Sequence, residues 1–163
     1  MGGADTRLRY LVDCPEYIDL LTGWLNREFD TAHDEEALAR RRARLAAYSA
    51  SERIPFTRVL LEAEIPVGTG SLLSHDLFGL EDEYPFTPWV ASLFVVPERR
   101  GTGYGTLILN DLMRIARLLG HPSAFLWTEE KNVPYYRRHG WAETGRVLYR
   151  NKTGIIMKAA MPP

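Results

Sequence analysis

The sequence predicts a single mixed α/β domain (α+β), with a central sheet of about seven strands flanked by about four helices. Three observations predict it. A chain of 163 residues has the size of one domain. Segments with the alternation of strands are interspersed with segments whose apolar residues follow one helix face. One stretch, residues 93–119, passes without interruption from an apolar strand through a glycine-rich turn into an amphipathic helix. We therefore treat residues 1–163 as one domain.

The first elements are a strand and two helices. Residues 6–12 alternate weakly and predict a strand. Pro15 suits the first turn of a helix that reaches about residue 26, because proline lacks the N–H that this turn leaves unpaired. Acidic residues open a second helix over residues 34–48. Its basic run, Arg40 to Arg42 with Arg44, is more typical of a solvated helix face than of a docking patch for an acidic partner.

The remaining elements follow the same rules. Residues 56–64 and 66–74 predict an antiparallel hairpin with its turn at Ile65-Pro66, followed by an acidic loop. The run Trp89 to Val96 is nearly all apolar, as expected for a central strand covered on both faces. The last predicted elements are an amphipathic helix ending near residue 119, a strand at 123–127, a turn and helix at 132–140, and strands at 142–148 and 151–157.

Charge and cysteine content exclude several classes of protein. The 20 Lys and Arg nearly balance 21 Asp and Glu, so no overall field favours nucleic acid or a membrane surface. The single cysteine, Cys14, excludes an intramolecular disulfide and is compatible with a reducing compartment. No apolar run approaches the ~20 residues of a membrane span, and no leader pattern opens the chain. We expect a cytoplasmic protein.

The turn after the central strand predicts an anion site. Gly101, Gly103 and Gly105 let the backbone turn sharply, which leaves the first N–H groups of the helix free to meet a ligand. Those donors favour an anion, and Arg100 adds a charge that can fork onto phosphate oxygens. A plain tight turn is the alternative, although three glycines at every second position exceed what one turn needs. The spacing differs from the dinucleotide fingerprint, so a nicotinamide site is disfavoured.

Two motifs resemble those of one known family. The run Arg100-Gly101-Thr102-Gly103-Tyr104-Gly105 resembles the R/Q-x-x-G-x-G/A signature of the GCN5-related N-acetyltransferase (GNAT) superfamily. Residues 132–141 resemble its late helix and turn, where an aromatic-Tyr pair is followed four residues later by Gly and an aromatic. The resemblance covers nearly the whole chain, the first half by layout. It implies a mixed, mostly antiparallel sheet whose two central parallel strands splay apart, with acetyl-CoA as cosubstrate and no metal.

The resemblance also implies which residues hold the coenzyme. The acetyl and pantetheine end falls to Leu93, Phe94 and Val95, where a backbone N–H would stabilise the acetyl carbonyl. Asn132 is a further expected contact, on a turn shorter than the family's commoner form. The pyrophosphate falls to the glycine-rich turn: Arg100, Gly101, Thr102, Gly103, Tyr104, Gly105 and Thr106.

The expected catalytic groups are a proton donor and a base. A tyrosine with an ordinary pKa of ~10 is protonated at neutral pH, and the spacing to Gly140-Trp141 selects Tyr136 rather than Tyr135 as donor to the leaving thiolate. In N-acetyl transfer, the reaction that the resemblance implies, the attacking amine must lose a proton. His75 and Asp76, at the end of the third strand, are the preferred bases. Glu28 and Glu129 follow as candidates.

The acceptor side is expected to be acidic. In this layout it is lined by the loop at residues 28–30 and by the loop that carries Asp76 and Glu81 to Glu83. Both loops suit a cationic small-molecule amine or a peptide N-terminus, with solvated loop acids as the alternative. A catalytically silent acetyl-CoA-binding domain, acting as sensor or scaffold, stays open, although it would not need Tyr136. A homodimer is an open possibility for the assembly.

Overall fold

The computed structural model describes residues 5–161. Its elements follow the predicted order, with short 3-10 turns between several of them. The strands and helices are β1 Thr6–Tyr10, α1 Ile18–Phe29, α2 Glu35–Ala47, β2 Phe56–Glu62, β3 Ile65–Leu73, β4 Trp89–Val95, α3 Tyr104–Leu118, β5 Ser123–Thr128, α4 Val133–Arg138, β6 Ala142–Tyr149 and β7 Lys152–Ala160.

All seven strands form one sheet, in the order β1-β2-β3-β4-β5-β7-β6. Every neighbouring pair is antiparallel except β4 and β5, which are parallel. These two strands share a single register pair, Trp89 with Phe125, and diverge beyond it. The predicted mixed, mostly antiparallel sheet with splayed central parallel strands is therefore confirmed.

A β-bulge in β4 explains the divergence. Phe94 pairs with Thr69 of β3 and Ala91 pairs with Ser71, so two residues of β4 stand opposite Gly70 alone. One of the two, Ser92, has φ 55°, in the left-handed region. Two residues against one bend a strand and increase its twist. We conclude that the bulge turns β4 away from β5.

Two glycines of β3 let α3 pack close to the sheet. A Cβ at Gly70 would lie 2.8 Å from Ile108 Cγ2 and 3.0 Å from Leu112 Cδ1. A Cβ at Gly68 would lie 2.8 Å from Ile108 Cδ1. The apolar face of α3 thus packs directly against the backbone of β3. This close packing fixes the start of the helix beside the end of β4.

The first two helices cover the opposite face of the sheet. Leu21 and Leu25 of α1 and Leu45 of α2 pack in one buried cluster with Phe94 of β4. Asp34 caps α2 by accepting a hydrogen bond from the N–H of Ala37, at 2.9 Å. Both helices are thereby held next to the central strand.

One prediction about the first half of the chain was wrong, and another holds only in part. The β2–β3 turn is formed by Ala63 and Glu64, with φ 47° and 67°, whereas Ile65 and Pro66 belong to β3. Neither turn residue is a glycine, so the usual signal for a two-residue turn was missing. The basic run of α2 is solvated only in part: Arg40 and Arg42 are exposed, whereas Arg41 is only 12 % exposed and pairs with Asp30.

No helix within the described part of the chain, residues 5–161, has both the length and the apolar character that crossing a membrane requires.

Candidate active site

The divergence of β4 and β5 opens a cavity of about 530 Å³. Residues 90–95 of β4 and 126–128 of β5 form its two sides. The loop after α1, the N-cap and the two tyrosines of α4, one face of α2 and the β6–β7 turn complete the walls. Because β4 has no strand partner on this side beyond Trp89, an extended ligand can bind its edge as an added strand would.

The residues expected at the acetyl and pantetheine end lie in this cavity. Leu93, Phe94 and Val95 all line it, on the stretch of β4 that follows the bulged residue Ser92. Phe94 is 8 % exposed and anchors the strand in the cluster under α1. The structure therefore places the three residues where an extended coenzyme arm could lie, and their contacts with it stay a prediction.

The glycine-rich turn lies outside the cavity lining, at the start of α3. Gly101 and Gly103 have φ 76° and 89°, which explains the glycines, and Gly103 is the N-cap. The first helical hydrogen bond runs from the N–H of Leu107 to the carbonyl of Gly103. The N–H groups of Tyr104, Gly105 and Thr106 precede it and have no helical acceptor. Space beside Gly101 and Gly103 is open, so the turn fits an anion.

Arg100 connects the turn to the cavity. Its Nε donates a hydrogen bond to the carbonyl of Val95 at 2.9 Å, and its guanidinium lies 3.7 Å from the carboxylate of Glu28. The guanidinium also lies 5.4 Å from the centre of the Phe94 ring. Arg100 is thus held on the cavity side of the turn, between β4 and α1.

A hydrogen-bond chain ties Tyr135 to the start of α3. His139 Nδ1 lies 2.7 Å from the carbonyl of Tyr135, which can only accept, so in the neutral ring Nδ1 carries the proton. Nε2 then accepts from the hydroxyl of Thr106 at 3.0 Å. The Thr106 oxygen in turn accepts from the hydroxyl of Tyr135 at 3.1 Å. The proton of the Tyr135 hydroxyl is thereby used in a hydrogen bond to Thr106 of α3.

Tyr136 has a different environment. It lines the cavity and packs edge-on against Tyr135 and Trp141. Its hydroxyl has no hydrogen-bond partner in the part of the chain that the structure describes. Burial and, to a smaller extent, the neighbouring Tyr135 raise the pKa of Tyr136, so this side chain stays protonated at neutral pH. Of the two tyrosines, Tyr136 is the one with a free proton facing the cavity.

Asp76 lines the cavity just after the end of β3. Burial raises the pKa of Asp76 to about 7, and this effect outweighs the attraction of the Trp127 indole and of nearby arginines, which lower it. The indole N–H of Trp127 is buried and forms no hydrogen bond of normal geometry with any described residue. Asp76 therefore changes charge near neutral pH inside the cavity, as a general base requires.

The other predicted residues divide into two groups. Glu28, Glu129 and Asn132 line the cavity, and the Asn132 amide donates to the hydroxyl of Thr128 at 3.2 Å. His75 does not line it, so the structure does not bring this histidine to the site. The acidic residues 81–83 do not line it either, so of the predicted acidic side only the loop at residues 28–30 and Asp76 line the cavity.

Sequence reasoning missed the basic side chains of the cavity. Arg40, Arg41 and Arg44 of α2 line it, as do Arg150 and Lys152 of the β6–β7 hairpin. The spacing of the three α2 arginines, which places them on one side of a helix, could have indicated a shared contact surface. The hairpin itself was predicted, as strands at 142–148 and 151–157, but nothing local indicated that Arg150 and Lys152 line the cavity.

These features define a class before any comparison is made. A sheet opened between two parallel strands, with an anion-binding helix start beside the opening and titratable groups inside, is an α+β enzyme domain for an extended, anionic ligand. The chain matches the model of the Acetyltransferase (GNAT) family over residues 18–141. It therefore belongs to that family of acetyltransferases, as the two sequence motifs predict.

Solved structures share the fold over almost their full length. An aminoglycoside 6′-N-acetyltransferase complexed with coenzyme A has a TM-score of 0.74 at 14% identity, covering 96% of this chain and 98% of that chain. An N-acetyltransferase from Staphylococcus aureus Mu50 has a TM-score of 0.74 at 13% identity, covering 98% and 100%. The protein yncA from Salmonella typhimurium, solved with its cofactor acetyl-CoA, has a TM-score of 0.65 at 19% identity, covering 98% and 96%.

At these identities the likeness concerns the fold. No protein with a curated description matches the chain by sequence.

Proposed function

We propose that the protein is an acetyl-CoA-dependent N-acetyltransferase, which moves the acetyl group to a primary amine by direct attack in a ternary complex. One observation carries the proposal: the gap between β4 and β5 exposes Tyr136 and Asp76 to the same cavity. One is a proton donor and the other a base that titrates near neutral pH. Acetyl-CoA is supported by the open, positive start of α3 and by the coenzyme bound in two of the similar structures.

The coenzyme would supply an activated acetyl thioester. We expect its pyrophosphate at the N–H groups of residues 104–106, with the glycines at 101 and 103 leaving room for close approach. Its pantetheine arm would follow the free edge of β4 past Val95 and Leu93. A backbone N–H near the bulge would then stabilise negative charge on the acetyl oxygen as the amine attacks.

Proton transfer completes the reaction. The amine nitrogen forms a bond to the acetyl carbon, and the carbon–sulfur bond breaks. Tyr136 gives its proton to the sulfur, while Asp76 takes the proton that the amine must lose. An alkylammonium group of pKa ~10.4 costs roughly 4.6 kcal/mol to deprotonate at pH 7, so a base in the cavity matters. His75 is the weaker candidate, because it lies outside the cavity lining.

The setting of the reaction stays a prediction. We expect a cytoplasmic enzyme, without nucleic acid or membrane as partner, that acts on a small-molecule amine or a peptide N-terminus. The amine arrives as a cation, as the carboxylates of Glu28 and Asp76 in the cavity favour. A homodimer is compatible with these expectations and is tested by measuring the mass in solution.

A screen of amines tests the proposal. The full chain is incubated with acetyl-CoA and single amines, polyamines, aminoglycosides, amino acids or short peptides, and released thiol is measured. We expect turnover with one class and none with acetyl-CoA alone. Binding of acetyl-CoA without turnover on any amine would favour the silent sensor or scaffold domain. Absence of both binding and turnover would overturn the proposal.

A further inference from the structure

We infer that the acceptor carries a carboxylate close to the amine that is acetylated, as free amino acids do, and that Arg44 and Arg150 bind this carboxylate. The inference rests on the proposed function and names its class of acceptor. Arg44 belongs to α2 and Arg150 to the β6–β7 turn, yet both line the cavity that contains Asp76. They approach it from two separate parts of the fold.

Both carboxylate oxygens of Asp30 are already hydrogen-bonded by Arg41. Arg41 forks onto the carboxylate, with Nε 3.0 Å from one oxygen and a terminal nitrogen 2.5 Å from the other. Both side chains are mostly covered, at 12 % exposed for Arg41 and 16 % for Asp30. This bidentate pair is the strong form of a guanidinium–carboxylate contact. It leaves Asp30 little capacity for a second arginine.

Arg44 is the arginine without sufficient counter-charge. Its nearest carboxylate oxygen, on Asp30, is 3.8 Å away, and its side chain is 28 % exposed. Burial lowers the pKa of Arg44, and the positive charges of Arg41 and Arg150 lower it further. A guanidinium nevertheless stays charged in proteins. The positive charge at this point of the cavity is therefore only partly balanced.

Arg150 adds a second unbalanced charge. It forms no ion pair within 4 Å with any residue in the described range 5–161, and its guanidinium lies 5.0 Å from the centre of the Tyr149 ring. Lys152, on the same hairpin, also lines the cavity. The local basic groups, Arg41, Arg44, Arg150 and Lys152, therefore outnumber the two carboxyl groups beside them, Asp30 and Asp76.

The position of Asp76 relates the arginines to the amine. Arg41, Arg150 and Arg44 all act on the carboxyl of Asp76, so the base lies beside the positive cluster. When Asp76 takes the proton of the acceptor's ammonium group, both groups become neutral, so the net charge of the site is unchanged, but the arginines lose the carboxylate that partly balanced their charge. An acceptor with a carboxylate next to its amine balances that charge at the moment of transfer, whereas a second cation on the acceptor would face three arginines.

Matched pairs of acceptors test the inference on the full chain. Free amino acids and their carboxamides, which differ only in the carboxylate, are compared by kcat/KM with saturating acetyl-CoA. We expect the acid to exceed its amide by at least about tenfold, which is one well-placed charged hydrogen bond. Arg44→Gln and Arg150→Gln should each reduce the preference toward unity. Arg42→Gln is the matched control, because Arg42 pairs with Asp19 and does not line the cavity.

The outcomes separate the two proposals. Amides acetylated as well as acids would overturn this inference and leave the acetyltransferase proposal standing. If neither is acetylated, acids and amides are titrated calorimetrically onto the coenzyme A-saturated protein, and equal or absent binding again overturns the inference.

Phosphoethanolamine against ethanolamine is the parallel pair for a phosphate. A phosphate preference without a carboxylate preference contradicts the assignment. Arg150 lies on an exposed turn, so its variant keeps the test valid if Arg44→Gln fails to fold.

Discussion

Replacing Asp76 with asparagine should stabilise the protein above pH 7 while it removes activity. In the folded state burial raises the pKa of this carboxyl from 3.8 to about 7. Between these values the folded protein holds a proton that the unfolded chain has lost. The free energy of unfolding of the parent therefore falls as pH rises from about 4 to about 7. The asparagine variant has no such proton and escapes that loss.

The size of the effect follows from the shift. A difference of about three pKa units corresponds to roughly 4 kcal/mol at about 1.36 kcal/mol per unit. This is an upper bound, because Asp76 retains contact with solvent through the cavity. Urea unfolding of parent and variant between pH 4 and 8.5 measures it. The stability advantage of Asp76→Asn should be near zero at pH 4 and reach its maximum above pH 7.

Activity gives the second readout and a control completes the test. The acidic limb of kcat/KM, expected near pH 7 in the parent, should disappear together with most of the rate in Asp76→Asn. Asp82→Asn, at an exposed loop residue outside the cavity lining, should change neither property. A stability difference that is constant with pH, or a variant less stable than the parent at pH 8, would refute the reasoning from burial.

Four further substitutions test the site and the fold. Tyr136→Phe should lower kcat by about 10²- to 10⁴-fold with little change in KM for acetyl-CoA. Tyr135→Phe should instead raise that KM, because Thr106 at the start of α3 loses one of its two hydrogen-bond partners, and the reverse ranking in steady-state kinetics contradicts both assignments. Gly103→Glu should abolish the increase in melting temperature that acetyl-CoA gives the parent, and an unchanged increase would misplace the phosphate site. Gly70→Ala should cost about 1 to 3 kcal/mol in urea unfolding, because its Cβ would lie 2.8 Å from Ile108 Cγ2, whereas an unchanged midpoint would show that α3 shifts freely.

The fold could be predicted from the sequence because its signals are local. The stretch from Trp89 to Leu118 contains a buried strand, a turn that only glycine adopts easily, and a helix with one apolar face, each within a few residues. A turn without glycine was the main failure. Ala63 and Glu64 both adopt positive φ in the β2–β3 turn, and neither residue type indicates it.

The candidate site was predictable only where a motif reports it. Tyr136 is fixed by its spacing to Gly140, and the glycine-rich turn by its own composition. The spacing of the α2 arginines could indicate that they share a side, but not that this side is buried, because the burial of Arg41 depends on Asp30, eleven residues earlier and across a loop. Asp76 and His75 are adjacent in sequence, and only the end of β3 determines which of them reaches the cavity.

The bulge in β4 also changes which way the rest of the strand faces. Before it, Val90 packs in the cluster under α3; after it, Leu93 and Val95 join that cluster while Phe94 packs under α1. Even-numbered residues thus face α3 on one side of the bulge and odd-numbered ones on the other. Deletion of a single residue at Ser92 would restore an uninterrupted alternation, leave Leu93, Phe94 and Val95 in their present layers and close the gap beside β5. In this chain, an ordinary sheet and one that can hold a ligand therefore differ by the one extra residue of the β4 bulge.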